Sequence, residues 1–292
     1  MSLTDFQRIG LIAKPDDSER LTQTLQQLLT LLTDRGLEVV AEPRAAGILN
    51  LSSSCSLDNL AKKCDLVIVV GGDGTLLSSA RSLADHAIPL LGINLGRLGF
   101  LVDITPDEMK DTLHNVLSGE YEEDKRFLLS AQIGEKTPVL AFNDVVLHKW
   151  NIARMVEFET RVNGHFVDSQ RSDGLIVSTP TGSTAYALSG GGPLLSPSLD
   201  AIALVPICPH TLSNRPIVVH GDSEIRLKVC GATDAANVRV TCDGQESLGI
   251  ESDEELVIRK HPNPVRLLHP HGHDHFDLLR AKLGWGESPK NH

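Results

Sequence analysis

Two patterns of apolar and polar residues divide the chain near residue 120. In the first part, short apolar runs alternate with segments in which apolar residues recur every three or four positions. The apolar runs predict strands at 8–13, 37–40, 66–70 and 88–93. The periodic segments predict helices at 18–35, 57–63 and 105–117. Strands that alternate with helices imply right-handed crossovers and a parallel sheet, which binds ligands at the carboxyl ends of its strands.

After Tyr121, short alternating or apolar runs are separated by Gly, Pro, Asn and Asp, which is typical of a largely β domain. Two dipeptides between such runs, Asn163-Gly164 and Asp243-Gly244, indicate β-hairpins. Apolar residues at helical spacing return near the C-terminus. We therefore predict an α/β domain with a parallel sheet over 1–120, a second, largely β and sandwich-like domain over 121–269, and a C-terminal tail, 270–292, that packs back on the first domain.

The strand at 66–70 runs directly into Gly71-Gly72-Asp73-Gly74-Thr75, and a helical pattern follows. Glycines let backbone N–H groups approach an anion at the start of a helix, so this loop is a candidate phosphate site. The loop matches neither the Walker nor the Rossmann glycine motif, which disfavours both of those classes. A carboxylate among phosphate-binding amides suits proton abstraction or metal binding, which makes Asp73 the catalytic candidate. On local grounds, a residue that only caps the helix is an equal alternative.

Further polar motifs lie in the predicted second domain, and the first of them interrupts an apolar run. Asn143-Asp144 suits a ribose-hydroxyl or metal site, with a bulge or turn as the alternative. Arg171-Ser172-Asp173-Gly174 is by itself also compatible with a surface turn. The hydroxyl- and glycine-rich stretch 179–192 suits a nucleotide, with a linker as the alternative. We expect the alternating histidines 269, 271, 273 and 275 to lie at the surface and not in a metal site, because no cysteines accompany them.

Composition narrows the function classes. The chain has 292 residues, 41% of them hydrophobic, which suits two domains. Its net charge of −11, without a continuous basic stripe, disfavours nucleic acid, so a phosphorylated ligand must be met by local donors. No secretory signal pattern and no apolar run of ~18 residues is present, so we expect a cytoplasmic protein without a membrane partner. Five scattered cysteines indicate reduced thiols.

The motifs above, together with the stretches from Gly92 to Asn94, from Gly99 to Leu101 and from Asp243 to Gln245, closely resemble the bacterial NAD kinases. These enzymes phosphorylate the 2′-hydroxyl of the adenosine ribose of NAD to make NADP. The resemblance covers most of the chain. It implies the substrates NAD and ATP (or another phosphoryl donor), a divalent cation such as Mg²⁺, a site between the two domains, and a homodimer or homotetramer.

The resemblance also implies roles for individual residues. Asp73 would be the base that takes the proton from the 2′-hydroxyl. The residues expected to bind NAD or ATP are Gly71, Gly72, Asp73, Gly74 and Thr75 at the phosphates, Asn143 and Asp144 at ribose hydroxyls, Arg171 and Asp173 in the nucleotide site, and Thr184, Ala185, Tyr186, Ala187, Leu188, Ser189 and Gln245 around NAD, with Arg154 at a substrate-contacting position of variable type. The family usually has Asn-Glu at 143–144, so the carboxylate here is one methylene shorter.

Two other functions compete with this interpretation. Lipid kinases of the diacylglycerol or sphingosine type share the Gly-Gly-Asp-Gly-Thr loop, but they generally have Asn-Glu soon after it, where this chain has Leu-Leu-Ser-Ser-Ala-Arg at 76–81. The chain also shows no basic amphipathic helix for membrane binding. A non-catalytic NAD(H)-sensing module would bind the dinucleotide without forming NADP, and an aspartate retained in the phosphate loop argues against it.

Overall fold

The computed structural model describes residues 6–96, 99–251 and 253–285, and the chain divides into two compact units. The first unit contains residues 1–125 and 265–292, and the second contains residues 126–264. These limits lie a few residues from the predicted boundaries at 120 and 269. The differences arise because two strands at those boundaries join the sheet of the first unit.

The elements follow one another in the order of the chain. The first unit begins with β1 (Arg8–Ala13), α1 (Glu19–Thr33), β2 (Glu38–Ala41), α2 (Pro43–Leu49), α3 (Leu57–Lys63), β3 (Leu66–Gly71), α4 (Asp73–Ser82), β4 (Pro89–Asn94), α5 (Met109–Leu117) and β5 (Tyr121–Arg126). The second unit contains β6 (Leu129–Ile133), β7 (Val139–Ala141), β8 (Asp144–Lys149), β9 (Val156–Val162), β10 (His165–Ser172), β11 (Gly174–Ser178), α6 (Tyr186–Ser189), β12 (Ala201–Ile207), β13 (Ile217–His220), β14 (Ile225–Val229), β15 (Val238–Cys242), β16 (Glu246–Gly249) and β17 (Glu255–Lys260). The chain then returns to the first unit with β18 (Val265–Pro270) and α7 (His275–Leu283).

The sheet of the first unit has the strand order β2-β1-β3-β4-β18-β5. The pairs β1/β2, β1/β3, β3/β4 and β4/β18 are all parallel, which confirms the predicted fold class. Every residue of β3 is buried, as expected of a strand covered on both faces. Helix α1 packs on this sheet through leucines at helical spacing, Leu21, Leu25, Leu28 and Leu32.

Two helices differ from the prediction. The helix predicted from residue 105 begins at Met109, because the Thr105 hydroxyl donates to the Glu108 carboxylate at 2.8 Å and neither side chain caps the helix. Helix α2 was not predicted, since its seven residues carry too short an apolar pattern. Its start is nevertheless fixed by Glu42, whose carboxylate accepts from the amides of Arg44 and Ala45.

The second unit is the predicted β-sandwich. Its two antiparallel sheets have the strand orders β10-β9-β14-β17-β6-β7 and β13-β12-β11-β8-β15-β16, and residues from both sheets share one apolar core. Both predicted hairpins are present, β9/β10 and β15/β16. Their turns have positive φ at both central residues, 51° and 80° at Asn163-Gly164 and 53° and 62° at Asp243-Gly244.

The chain crosses from one sheet of the sandwich to the other at two of the predicted polar motifs. Residues 142–143 lie between β7 in the first sheet and β8 in the second, and Asp173 lies between β10 and β11. Since ladder pairing is interrupted at such crossings, polar groups are tolerated in otherwise apolar sequence. Asn143 therefore lies at a turn, as the alternative interpretation expects, and this position is compatible with the interpretation as a binding site.

The C-terminal segment packs on the first unit, as predicted. Strand β18 lies between β4 and β5, and it carries His269. This histidine is 1% exposed, so the expectation of surface histidines is wrong there, because an inner strand is covered on both faces. His273 is half-buried and His271 is exposed. No helix of the described residues is long and apolar enough to cross a membrane.

Candidate functional site

The glycine loop joins β3 to α4, and its carboxylate residue, Asp73, lies at the start of the helix. Gly72 is the N-cap residue and no side chain caps the helix there, so Asp73 is the first helical residue and does not act as a cap. Gly71 is required for close packing, because a Cβ at this position would lie 2.5 Å from the Thr75 hydroxyl oxygen. A Cβ on Gly72 would meet no atom of the described residues within 4 Å, so these residues leave the space beside Gly72 open. This arrangement suits an anion at the helix N-terminus.

The Asp73 carboxylate is held by a neighbouring backbone segment. Its Oδ2 accepts from the Phe100 amide at 2.8 Å, and its Oδ1 accepts from the amides of Leu101 and Val102 at 3.2 Å each. Gly99 permits this approach, since a Cβ there would lie 2.0 Å from Asp73 Oδ1. An ionised carboxylate offers about four acceptor positions, so the three amide donors found among the described residues leave one, on Oδ2. The carboxylate is thus fixed in place with one acceptor position for a further donor.

A cavity of about 520 Å³ lies in the second unit, within the size range of small-ligand sites. It is bounded by the two sheet crossings, the hairpin after β15 and the start of α6. Its lining residues are Asn143, Asp144, Val146, His148, Lys149, Asp173, Ala185, Tyr186, Ile207, Thr241, Asp243 and Gly244. The predicted residues Asn143, Asp144, Asp173, Ala185 and Tyr186 therefore come together at one cavity.

The turn at Asn143 is held from two sides. The Asp243 carboxylate accepts from the amides of Phe142, Asn143 and Asp144 at 2.9, 2.7 and 3.2 Å. On the other side, the Thr179 amide donates to the Asn143 carbonyl at 2.9 Å. Gly182 packs against the same carbonyl so closely that a Cβ would lie 2.1 Å from it. The hydroxyl- and glycine-rich stretch thus supports the turn in addition to lining the cavity.

The charge of Asp144 is strongly affected by its surroundings. The residue is 4% exposed, and burial together with the negative charge of Asp243 raises the pKa of its carboxyl to about 7. This carboxyl therefore exchanges its proton near neutral pH. A perturbed group in a cavity is a frequent mark of a functional site.

A cation and an aromatic ring complete the lining of the cavity. Lys149 Nζ lies 2.7 Å from Asp173 Oδ1, so Asp173 pairs with Lys149 and not with the sequence neighbour Arg171. The Tyr186 side chain is large, 48% exposed and lines the cavity, which suits stacking against a planar base. The cavity thus combines polar side chains that can form hydrogen bonds with ribose hydroxyls, a charge pair and an aromatic face.

Several predicted residues lie outside this cavity, and their roles stay predictions. Arg154, Arg171, Ser189 and Gln245 are exposed, and Thr184 and Leu188 are half-buried. Ala187 is buried in an apolar cluster with Val146, Ile176 and Val205, which directs its side chain into the core. His148, Lys149 and Thr241 also line the cavity and were not predicted, because they lie within strand sequences that carry no polar motif of their own.

Two side-chain groups in the described ranges bring three potential metal ligands together. The first is Asp103 with His269 and His273, and the second is Asp200 with His220 and Asp222. Lys260 Nζ lies 2.7 Å from Asp200 and 3.3 Å from Asp222, so an ammonium group already occupies the second set. The first set offers two nitrogens, whereas Mg²⁺ prefers oxygen ligands in octahedral geometry. Neither group fits Mg²⁺.

The fold and the site define a nucleotide-binding phosphotransferase outside the Walker and Rossmann classes. The first unit contains a glycine loop of phosphate-binding type with a fixed carboxylate on a parallel sheet, and the second unit contains a polar cavity large enough for a nucleotide. Residues 9–121 match the family described as the ATP-NAD kinase N-terminal domain, and residues 142–269 match the ATP-NAD kinase C-terminal domain. The chain belongs to the ATP-NAD kinase family.

Known relatives agree with this membership. The chain is 50% identical over 295 residues to an NAD kinase of Cellvibrio japonicus, covering 97% of this chain and 98% of the relative. It is 47% identical over 290 residues to an NAD kinase of Alcanivorax borkumensis, covering 97% and 96%. Among solved structures, yeast NADH kinase complexed with NADH matches with a TM-score of 0.86 and 25% identity, covering 99% of this chain and 90% of the other. An NAD kinase from Archaeoglobus fulgidus in complex with ATP matches with a TM-score of 0.77 and 27% identity, covering 95% and 98%.

Proposed function

We propose that this protein transfers the terminal phosphoryl group of ATP to the 2′-hydroxyl of the adenosine ribose of NAD, giving NADP and ADP. Family membership and the NAD kinase relatives support the reaction class. The observation that carries the proposal is the Asp73 carboxylate, which three backbone amides fix at the start of α4 while one acceptor position remains.

Asp73 acts as the general base. The 2′-hydroxyl donates its proton to Oδ2, and the oxygen forms a bond to the γ-phosphorus as the bond from that phosphorus to the ADP oxygen breaks. Such a transfer requires mainly alignment and charge stabilisation from the protein. The glycine loop provides backbone amides for the phosphates, and the amides at 100–102 hold the base in one orientation.

The cavity of the second unit binds the nucleotide. Asn143 and Asp144 hold ribose hydroxyls, and the ring of Tyr186 offers a face to a base. With a side chain one methylene shorter than glutamate, Asp144 depends on its exact backbone position. The Asp243 carboxylate supplies that position by holding three consecutive amides of the turn.

A divalent cation, Mg²⁺, assists the reaction by neutralising phosphate charge when it is bound. We assign it to ATP and not to a protein cage, in keeping with the donor sets above. The active form is a homodimer or homotetramer in the cytoplasm. The edge strands β10 and β13 support association, since they expose the apolar side chains of Phe166, Val167, Ile217 and Val218.

The test is an end-point assay of the purified protein with NAD, NADH, ATP, other phosphoryl donors and Mg²⁺, in which NADP(H) is measured. We expect NADP from NAD and ATP. A protein that binds NAD and forms no NADP under any donor would be a sensing module. A protein that sediments with liposomes and phosphorylates a lipid alcohol, but not NAD, would belong with the lipid kinases.

The role of Asp73 is tested by Asp73→Asn. We expect turnover to fall on the order of 10²–10⁴-fold with the fold intact, as for loss of a general base. The matched control is Asp107→Asn, at an exposed aspartate of the same unit. A folded Asp73→Asn protein with a near-normal rate would refute the assignment of Asp73 as the base.

A further inference from the structure

We propose that Asp103, His269 and His273 form a positioning site that holds the backbone segment on which the orientation of Asp73 depends. This inference rests on the proposed function, in which Asp73 is the base. We assign the three residues a positioning role, because Asp73 accepts its hydrogen bonds from backbone amides and not from these side chains. Their effect passes through the segment 100–103, which directly connects Asp103 to the amide donors of Asp73.

Asp103 receives two histidines on one carboxylate oxygen. Its Oδ2 lies 2.7 Å from Nδ1 of His273 and 3.3 Å from Nδ1 of His269. The two imidazole rings stack, with centroids 3.8 Å apart and planes inclined by 19°. Because His269 lies on the inner strand β18, this cluster ties Asp103 to the sheet.

The segment that follows Gly99 is fixed at several points. Its amides at Phe100, Leu101 and Val102 donate to Asp73, and the Val102 carbonyl accepts from Nδ2 of buried Asn94 at 3.1 Å. The Asn94 amide in turn donates to the Ile104 carbonyl at 2.7 Å. Asp103 stands between these two attachments, so its side chain is the third constraint on a segment that is otherwise a loop.

The charge state of the cluster supports a permanent attachment. Burial would raise the pKa of Asp103, but the hydrogen bonds from the two histidines outweigh burial and hold this pKa well below its usual range. Nε2 of His269 is buried and has no hydrogen-bond partner in the described part of the chain. An N–H at that atom would be unsatisfied, which favours the tautomer with the proton on Nδ1, directed at Asp103.

The same three atoms lie close enough together to bind a transition metal, but the ring geometry favours hydrogen bonding. Two imidazoles that bind one ion through Nδ1 diverge from that ion, so their rings cannot remain stacked and nearly parallel at 3.8 Å. The carboxylate of Asp103 therefore acts as a shared acceptor. The backbone of residues 100–102, whose amides donate to Asp73, connects Asp103 to that carboxylate.

The experiment is a double-mutant cycle on the full chain. Asp103→Ala is made in the natural protein and in Asp73→Asn, and kcat and KM for NAD and ATP are measured at saturating co-substrate and corrected for the folded fraction. We expect Asp103→Ala to lower kcat of the natural protein about tenfold, with each KM changed less than about twofold, because a small misplacement of a base is costly. In the Asp73→Asn protein, the same change should lower kcat less than about twofold.

Two further variants separate positioning from mere stability. Asp103→Asn keeps one hydrogen-bond acceptor and should restore part of the lost kcat. The control is His271→Gln, at an exposed histidine between His269 and His273 whose side chain is 83% accessible, and it should match the natural protein. Asp103→Ala is expected to lower the melting temperature as well, so all rates are measured well below the melting transition of each variant.

Three results would overturn the positioning role of Asp103. An equal loss of kcat in both backgrounds would overturn the positioning role, as would an unchanged kcat in folded Asp103→Ala. Binding of one Zn²⁺ per chain that is lost in Asp103→Ala, with activity that depends on it, would also overturn it in favour of a metal site. A natural protein that makes no NADP would instead refute the proposed function and is recognised before any variant is compared.

Discussion

Replacing Asp144 by Asn should stabilise the protein and impair it at the same time. In the unfolded chain this carboxyl loses its proton near its ordinary pKa of 3.8, whereas in the folded chain burial raises the pKa to about 7. Between these values the folded state binds more protons than the unfolded state. The free energy of unfolding therefore falls as the pH rises through this window, and it stays lower above it.

The size of the effect follows from the shift. Each unit of pKa corresponds to ~1.36 kcal/mol, so a shift of about three units gives an upper limit of about 4 kcal/mol. For a protein of this size that corresponds to a melting-temperature difference on the order of 10 °C. Asn carries no titrating proton, so Asp144→Asn should lose this pH dependence and gain most in stability above pH 7.

The assay compares the melting temperatures of the natural protein and Asp144→Asn from pH 4 to pH 9. The difference should be small at pH 4, rise to a plateau above pH 7, and be absent for Glu135→Gln, a control at an exposed glutamate of the same unit. The KM for NAD at pH 8 should rise about 10- to 100-fold, because a charged hydrogen bond to substrate is lost. A difference that does not vary with pH would refute the claim that burial controls the charge of Asp144.

Two further substitutions test close approaches and turns. Gly99→Ala should lower kcat about 10- to 100-fold, because the new Cβ would lie 2.0 Å from Asp73 Oδ1. Gly96→Ala should be tolerated, because among the described residues its Cβ would meet no atom nearer than 3.9 Å. Equal rates for the two variants would contradict the packing described for Asp73. Gly164→Ala should destabilise the second unit by about 1 kcal/mol in urea denaturation, since φ is +80° there, whereas Gly47→Ala within α2 should stabilise the first by about the same amount.

The sequence predicted the large features of the fold because periodicity reports them directly. The parallel sheet, the sandwich and both hairpins follow from the spacing of apolar residues and from Asn-Gly and Asp-Gly dipeptides. Strand β5 was missed because five of its six residues, from Glu122 to Arg126, are charged and carry no strand signal. It is an edge strand beside β18, and that pairing depends on residues far along the chain.

Individual residues of the candidate site were predictable where a motif stands out from its surroundings. Asn143 and Asp144 interrupt an apolar run, Asp173 belongs to a charged motif beside a glycine, and the structure brings all three to one cavity. Lys149 ends a strand with no such interruption, so nothing local marked it. The burial of His269 was also unpredictable, because its acceptor Asp103 lies 166 residues away in sequence.

The place of β18 in the first sheet has a consequence for biosynthesis. Its Arg266 pairs with Glu123 of β5, although the two are 143 residues apart in sequence. During translation, β4 and β5 must therefore wait, with edges unpaired, until the ribosome has made the whole intervening sandwich. A nonsense mutation after residue 264 would release a chain with a complete second unit and a first sheet that lacks β18, so its unpaired strand edges would favour aggregation.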